Sequence, residues 1–209
     1  MRLQDKVAVL TGAGGGIGRA IVAKLVAEGA RVVAADLSEA ELTQLRQTHG
    51  EAVATLQVDV TDYQQVEGMV GHAVQHFGGL DIVINNAGIA FPKALLEHDP
   101  VADFDGVTAV NQKGVYYGIL AAARLFQERG TPGVIINTSS VYGQMAAELS
   151  FTYNVSKAAV DMMTKCAALE NAKKGIRVNA VNPAVIDTAM PDKIAEAVAQ
   201  AAITTANHL

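Results

Sequence analysis

Six short apolar runs, set between longer stretches of helical spacing, constrain what this chain can fold into. The runs are KVAVLT (6–11), ARVVAAD (30–36), VATLQVD (53–59), DIVINN (81–86), GVIINTS (133–139) and IRVNAV (176–181). They are rich in β-branched residues and apolar on successive positions, the pattern of strands covered on both faces. Helical spacing fills about 17–28, 39–48, 62–77, 101–129, 154–174 and 191–202. Parallel strands cannot be joined by a tight hairpin and need a long crossover, usually a helix. The alternation therefore predicts an α/β fold: a doubly wound parallel sheet with helices on both faces. No linker, repeat or low-complexity tract interrupts the series, so residues 1–209 are expected to form one domain.

Composition narrows the function classes. Half of the residues are hydrophobic and 18% are charged, a globular balance. A net charge of −5 without any Lys/Arg block argues against nucleic-acid partners and anionic membranes. The start, MRLQDKVAVL, lacks the cationic-then-apolar layout of a signal peptide, and no run approaches the roughly 18 apolar residues of a membrane span. A cytoplasmic location is expected. Cys166 is the one cysteine, which excludes an intrachain disulfide and a cysteine metal cage. On an apolar helix it reads as a small buried hydrophobe.

The first strand ends in TGAGGGIG, Thr11 to Gly18. Ile17 stands where a G-x-G-x-x-G pattern would place its third glycine, and the spacing that fits is Gly12, Gly16, Gly18. Such glycines let the backbone turn tightly and approach a pyrophosphate, which the N–H groups of the helix N-terminus can bind. A ligand-free flexible turn is the alternative. The position between the first strand and the first helix favours nucleotide binding. Asp36 closes the second strand, 18 residues past Gly18, and is followed by Leu37 and Ser38. A carboxylate there accepts hydrogen bonds from ribose hydroxyls and repels a 2′-phosphate, so NAD is expected rather than NADP. Ser38 is the better candidate to cap the next helix.

Tyr153 and Lys157 stand four apart in FTYNVSKAA (151–159), hence on one face of a helix about 6 Å apart along its axis. A nearby ammonium favours the phenolate and should lower the tyrosine pKa toward the working range of a general acid/base.

These motifs, in this order, resemble the short-chain dehydrogenase/reductase family, in its single Rossmann-domain subgroup. Beside TGAGGGIG, the similarity lies in Asp59-Val60, NNAG (Asn85 to Gly88), Asn111 in AVNQKG, TSS (Thr138 to Ser140), YNVSK (153–157) and NPAVIDTAM (182–190). The resemblance covers nearly the whole chain and implies strand order 3-2-1-4-5-6. It implies a catalytic set of Asn111, Ser140, Tyr153 and Lys157. The family spacing, 13 residues before the tyrosine, selects Ser140 over Ser139. It places the cofactor on Gly12, Gly16, Ile17, Gly18, Asp36, Leu37, Asp59, Val60, Asn86, Ala87, Gly88, Tyr153, Lys157, Pro183, Ile186 and Thr188. The implied activity is hydride transfer between NAD and a small alcohol or ketone, in a homodimer or homotetramer. Ser140 would stabilise charge on the substrate oxygen, Lys157 would hold the nicotinamide ribose, and Asn111 would bind a relay water.

Ala184 stands where the family has glycine, so the loop is expected to differ slightly. His72 and His76 are four apart without an evident third metal ligand. Asp81 reads as a local structural acid, and Met162, Met163 and Met190 as core or pocket wall. Phe91, Val141, Tyr142, Gln144 and Met190 are candidate pocket residues by position. No strand-like run follows Ala197. A seventh strand is therefore expected to be missing, leaving the sixth strand as an edge. The shortened tail keeps a second reading open: a non-catalytic dinucleotide-binding or scaffold protein, or a fragment.

Overall fold

The computed structural model describes residues 1–186. Thr188, Met190, the helix expected at 191–202 and the question of a seventh strand lie outside the described residues. Six strands form one parallel sheet: β1 (Val7–Thr11), β2 (Arg31–Asp36), β3 (Val53–Gln57), β4 (Ile82–Asn85), β5 (Gly133–Thr138) and β6 (Ile176–Val181). Their order is β3-β2-β1-β4-β5-β6, as the resemblance implied. The helices between them are α1 (Gly16–Ala27), α2 (Glu39–His49), α3 (Tyr63–Phe77), α4 (Ala102–Thr108), α5 (Gly114–Arg129) and α6 (Phe151–Asn171).

Alternate residues of each strand point to opposite faces, and both faces are buried. On one side Ala8, Leu10, Val32 and Ala34 pack with Val22, Leu25, Leu42 and Leu45 of α1 and α2. On the other, Val7, Val9, Val33, Val83 and Ile135 pack with Met69, Ile119, Phe126 and Val160 of α3, α5 and α6. This explains the unbroken apolar runs. Each fully buried Val, Leu or Ile contributes about 1.5–3 kcal/mol relative to exposure.

A polar chain crosses the second core. Asn85 Nδ2 donates to Asn137 Oδ1 (2.8 Å), Asn137 Nδ2 to Thr164 Oγ1 (2.9 Å), and Thr164 Oγ1 to the Val160 carbonyl (2.7 Å). The chain ties β4 to β5 and β5 to α6. Asn85 Oδ1 is buried without a hydrogen-bond partner and lies against Gly118 of α5, where a Cβ would overlap it.

Three expectations about the helices need correction. The helical run at 101–129 is not one α-helix: a π-helical turn at Ala109–Lys113 separates α4 from α5 and carries Asn111. A π-turn is one residue inserted into a helix, and the stretches on either side of it each still read as helical. Cys166 is exposed, not buried, and Met162, expected in core or pocket wall, is 58% exposed. They share the outer face of α6 with exposed Phe151, Val155 and Leu169. The helix is apolar on this face as well as on its buried one, so composition alone could not orient it.

Gly118→Ala should lower stability by about 2 kcal/mol through overlap with Asn85, a fall in Tm of about 4–8 °C. Gly68→Ala on α3, with nothing near its added Cβ, should raise stability by about 0.5–1 kcal/mol. Thermal denaturation of the pair checks the sign as well as the size.

Candidate active site

Every sequence-predicted site residue within the described range lies at or after a strand's carboxyl end, or on a helix facing those ends. The crevice opens between β1 and β4, where the chain's winding reverses direction. After β1 the backbone turns at Gly12, whose φ is +64° and whose added Cβ would stand 2.8 Å from Ala87 Cα. A side chain there would be strained by both conformation and space. Gly16, Ile17 and Gly18 form the first turn of α1, and no side chain caps this helix. A Cβ on Gly18 would overlap the Gly12 carbonyl oxygen.

Asp36 grips the turn. Its Oδ2 accepts from Gly14 N–H (2.8 Å) and its Oδ1 from Ser38 N–H (3.0 Å). Ser38 accepts from Glu41 N–H and caps α2, leaving Asp36 to the loop. Leu37 beside it is exposed. Arg19, one residue past Gly18, donates to the Gly14 carbonyl and is ion-paired with Glu41. Thr11 Oγ1 accepts from the N–H groups of Asn86 (3.0 Å) and Ala87 (3.1 Å). Asn86 Nδ2 reaches the carbonyls of Thr11 and Gly12. The glycine turn and the segment after β4 are thus bound together. Asp59 Oδ1 accepts from Thr61 N–H and its hydroxyl, and Val60 packs under Gly114.

Helix α6 presents Tyr153 and Lys157 to the cleft. Lys157 is only 3% exposed. Its ammonium donates to the Thr138 carbonyl (2.8 Å) and lies 5.5 Å from the Tyr153 ring centroid. No ion pair to Lys157 occurs among the described residues. Burial lowers its pKa from 10.5 to about 8, against a weaker opposing pull from Asp161. The Tyr153 phenol is shifted up, not down as the sequence suggested. Burial raises it, the Ser140 hydroxyl lowers it in part, and Tyr142 raises it further. The ammonium faces the ring, and the burial that gives Tyr153 its place dominates its ionisation.

The two serines separate by direction. Ser139 Oγ donates to the Lys157 backbone carbonyl (3.0 Å). Ser140 Oγ accepts from Tyr142 N–H (3.2 Å), approaches the Pro183 carbonyl (3.5 Å) and acts on Tyr153. Asn111 is fully buried. Its Oδ1 accepts from Ile89 N–H, and its Nδ2 donates to the Ile89 carbonyl and to Ser156 Oγ. Both of its amide hydrogens are therefore spent on protein. Gly88 lies beside both groups: its added Cβ would stand 3.4 Å from Asn111 Oδ1 and from Lys157 Nζ.

Among the candidate pocket residues, Tyr142 stands edge-to-face to Tyr153 at 6.5 Å, and Phe91 is exposed. Pro183 accepts from Val141 N–H, and Ile186 ends the described chain. Sequence reasoning passed over Gly14, Asp161 and Asn182. Gly14 was visible inside the glycine run. Asp161 and Asn182, the latter the first residue of NPAVIDTAM, act through a tertiary contact that the local sequence does not encode.

A parallel sheet in this order, with a glycine turn after β1 and Ser140, Tyr153 and Lys157 gathered at its carboxyl edge, defines a Rossmann-type α/β protein. Residues 6–199 match the short chain dehydrogenase family, to which this chain belongs. It is 42% identical over 187 residues to 3beta-hydroxysteroid dehydrogenase 2 of Eggerthella lenta, covering 87% of this chain and 71% of that protein. It is 38% identical over 187 residues to galactitol 2-dehydrogenase of Agrobacterium fabrum, covering 90% and 73%. The structure of 3-ketoacyl-(acyl-carrier-protein) reductase from Brucella melitensis complexed with NADH superposes with a TM-score of 0.88, at 32% identity, over 93% of this chain and 81% of that one.

Lys157 gives a pH-dependent stability. Its folded pKa lies below its unfolded value, so the unfolded chain binds more protons between pH 8 and 10.5, and stability rises with pH in that window. The full rise is about 3 kcal/mol, at about 1.4 kcal/mol per unit. Lys157→Met should be more stable than wild type at pH 7, with the gap in Tm closing as the pH approaches 10. A gap independent of pH would show that Lys157 is not buried as a charge.

Proposed function

We propose that this oxidoreductase interconverts a secondary alcohol and a ketone with NAD(H), and that Tyr153 is its general acid/base. The observation that carries the reading is the buried Lys157 ammonium beside a half-buried phenol that the Ser140 hydroxyl also acts on. Burying a lone cation is costly, and a core position would favour an apolar residue. The Eggerthella and Agrobacterium relatives bear the names of alcohols, a hydroxysteroid and a sugar alcohol, and the Brucella neighbour was solved with NADH.

The residues present fit such a dinucleotide. The uncapped N–H groups at Gly16, Ile17 and Gly18 suit a pyrophosphate. The Asp36 carboxylate closes β2 where an adenosine ribose would lie, and the nearest arginine, Arg19, is neutralised by Glu41. This supports NAD over NADP. Asp59 and Val60 would flank the adenine. Asn86, Ala87 and Gly88 would wall the cleft, and Pro183, Ile186 and Thr188 would face the nicotinamide. Lys157 has two ammonium hydrogens beyond the one given to Thr138, enough for ribose hydroxyls.

When bound, the cofactor supplies or accepts the hydride. Tyr153, held protonated by burial, donates its phenolic proton to the ketone oxygen in reduction and recovers one in oxidation. Ser140 steadies the charge on that oxygen. Lys157 lies near enough to stabilise the transient phenolate. A relay water would have to sit on an oxygen of Asn111, because its N–H groups are occupied.

The exposed apolar face of α6, with Tyr116 exposed on α5, supports a dimer or tetramer built on these helices. An apolar stripe of this kind marks an interaction surface.

The test is tighter binding of NADH than of NADPH, turnover of at least one alcohol or ketone from a broad panel, and a dimeric or larger mass by light scattering. Tyr153→Phe should cut kcat by about 100- to 10,000-fold, the range for a lost general acid, with NADH binding kept. NADH binding without turnover of any substrate would instead indicate a binding or scaffold protein.

A further inference from the structure

The reacting serine and the reacting helix belong to different elements. Ser140 lies in the connection after β5, whereas Tyr153 and Lys157 ride on α6. Something must fix one against the other to within a fraction of an ångström, because a misplacement of about 1 Å can cost about 100-fold in rate. The Ser140 peptide shows how. Its carbonyl accepts from Gly143 N–H (2.9 Å) and from Asn182 Nδ2 (3.1 Å). The same Asn182 nitrogen lies 3.0 Å and 3.1 Å from Asp161 Oδ1 and Oδ2. An amide nitrogen carries two hydrogens. One serves the Ser140 carbonyl, and the other is shared between the two oxygens of the Asp161 carboxylate.

Asp161 stands one helical turn after Lys157 and two after Tyr153. Asn182 immediately follows β6. The amide therefore bridges the reacting serine's own peptide to the helix that bears the phenol and the ammonium. We infer that Asn182, oriented by Asp161, is a positioning residue that sets Ser140 against Tyr153. This rests on the role proposed for Ser140.

An amide meets the demands of this position without adding a charge. It must donate to a carbonyl on one side and to a carboxylate on the other, which aspartate cannot do. The carboxylate also fixes which end of the amide faces Ser140. With the nitrogen held by Asp161, the Asn182 oxygen is kept from opposing the Ser140 carbonyl oxygen. Three neighbouring amides report on the loop: Val141 N–H on Pro183, Tyr142 N–H on Ser140 Oγ, and Gly143 N–H on the Ser140 carbonyl.

The test is the exchanged pair, Asp161→Asn with Asn182→Asp in one chain. It restores an amide–carboxylate contact between α6 and the end of β6 but places a carboxylate against the Ser140 carbonyl. Native-state hydrogen exchange over residues 139–150 is read together with Tm, the NADH dissociation constant and, for any carbonyl the wild type reduces, kcat and KM. The exchanged pair should hold a Tm within about 4 °C of wild type and bind NADH within about twofold. Its 141–143 amides should exchange about tenfold faster, and kcat should fall about 10- to 100-fold with KM little changed. Asn182→Gln, which keeps the amide, should recover part of the protection. Wild-type exchange in the exchanged pair, or wild-type kcat, overturns the inference. The exchange arm needs no substrate, so it decides the clamp even where turnover fails and the proposed activity falls.

Discussion

The hydrogen bond from the buried Lys157 ammonium to the Thr138 carbonyl is the contact on which the cleft depends. It joins α6 to the carboxyl end of β5. It is also an unfavourable place for a charge, as the depressed pKa near 8 records. A protein selected for stability alone would have an apolar residue at this position.

Around that contact the segment 138–143 is held against α6 from several directions. Thr138 receives the Lys157 ammonium, Ser139 donates to the Lys157 carbonyl, and Asn182 links Ser140 to Asp161. Gly143 comes so close to the α6 backbone that a Cβ there would lie 2.8 Å from the Lys157 carbonyl carbon. On the other side of the crevice, Asp36 and Thr11 fix the glycine turn through backbone N–H groups. Both halves of the cleft are therefore held by hydrogen bonds within the protein.

The fold was legible because it is written in periodicity. Unbroken β-branched runs require two covered faces, and the helices between them require parallel crossovers. The glycine turn was legible because positions where the backbone leaves no room for a Cβ, such as Gly12 and Gly18, are marked by the residue itself. What was not legible depends on tertiary burial. The direction of the Tyr153 shift turns on how much solvent the phenol loses, which a four-residue spacing does not encode. The π-turn at Asn111 inserts one residue between two stretches that each read as helical. The outward face of Cys166 and Met162 follows from α6 being apolar on two sides. Asp161 and Asn182 stand 21 residues apart and meet only in the folded chain.

The proposed mechanism requires a phenol that burial holds protonated and that a positive nicotinamide beside it would make easier to ionise. The most direct measurement is an NMR titration of ring-labelled tyrosine, with Tyr153→Phe to assign the signal, in the free protein and with NAD⁺. Tyr153 should titrate above the ordinary phenol range in the free protein and move down once NAD⁺ is bound. A Tyr153 signal whose midpoint is the same with and without bound NAD⁺ would contradict the account.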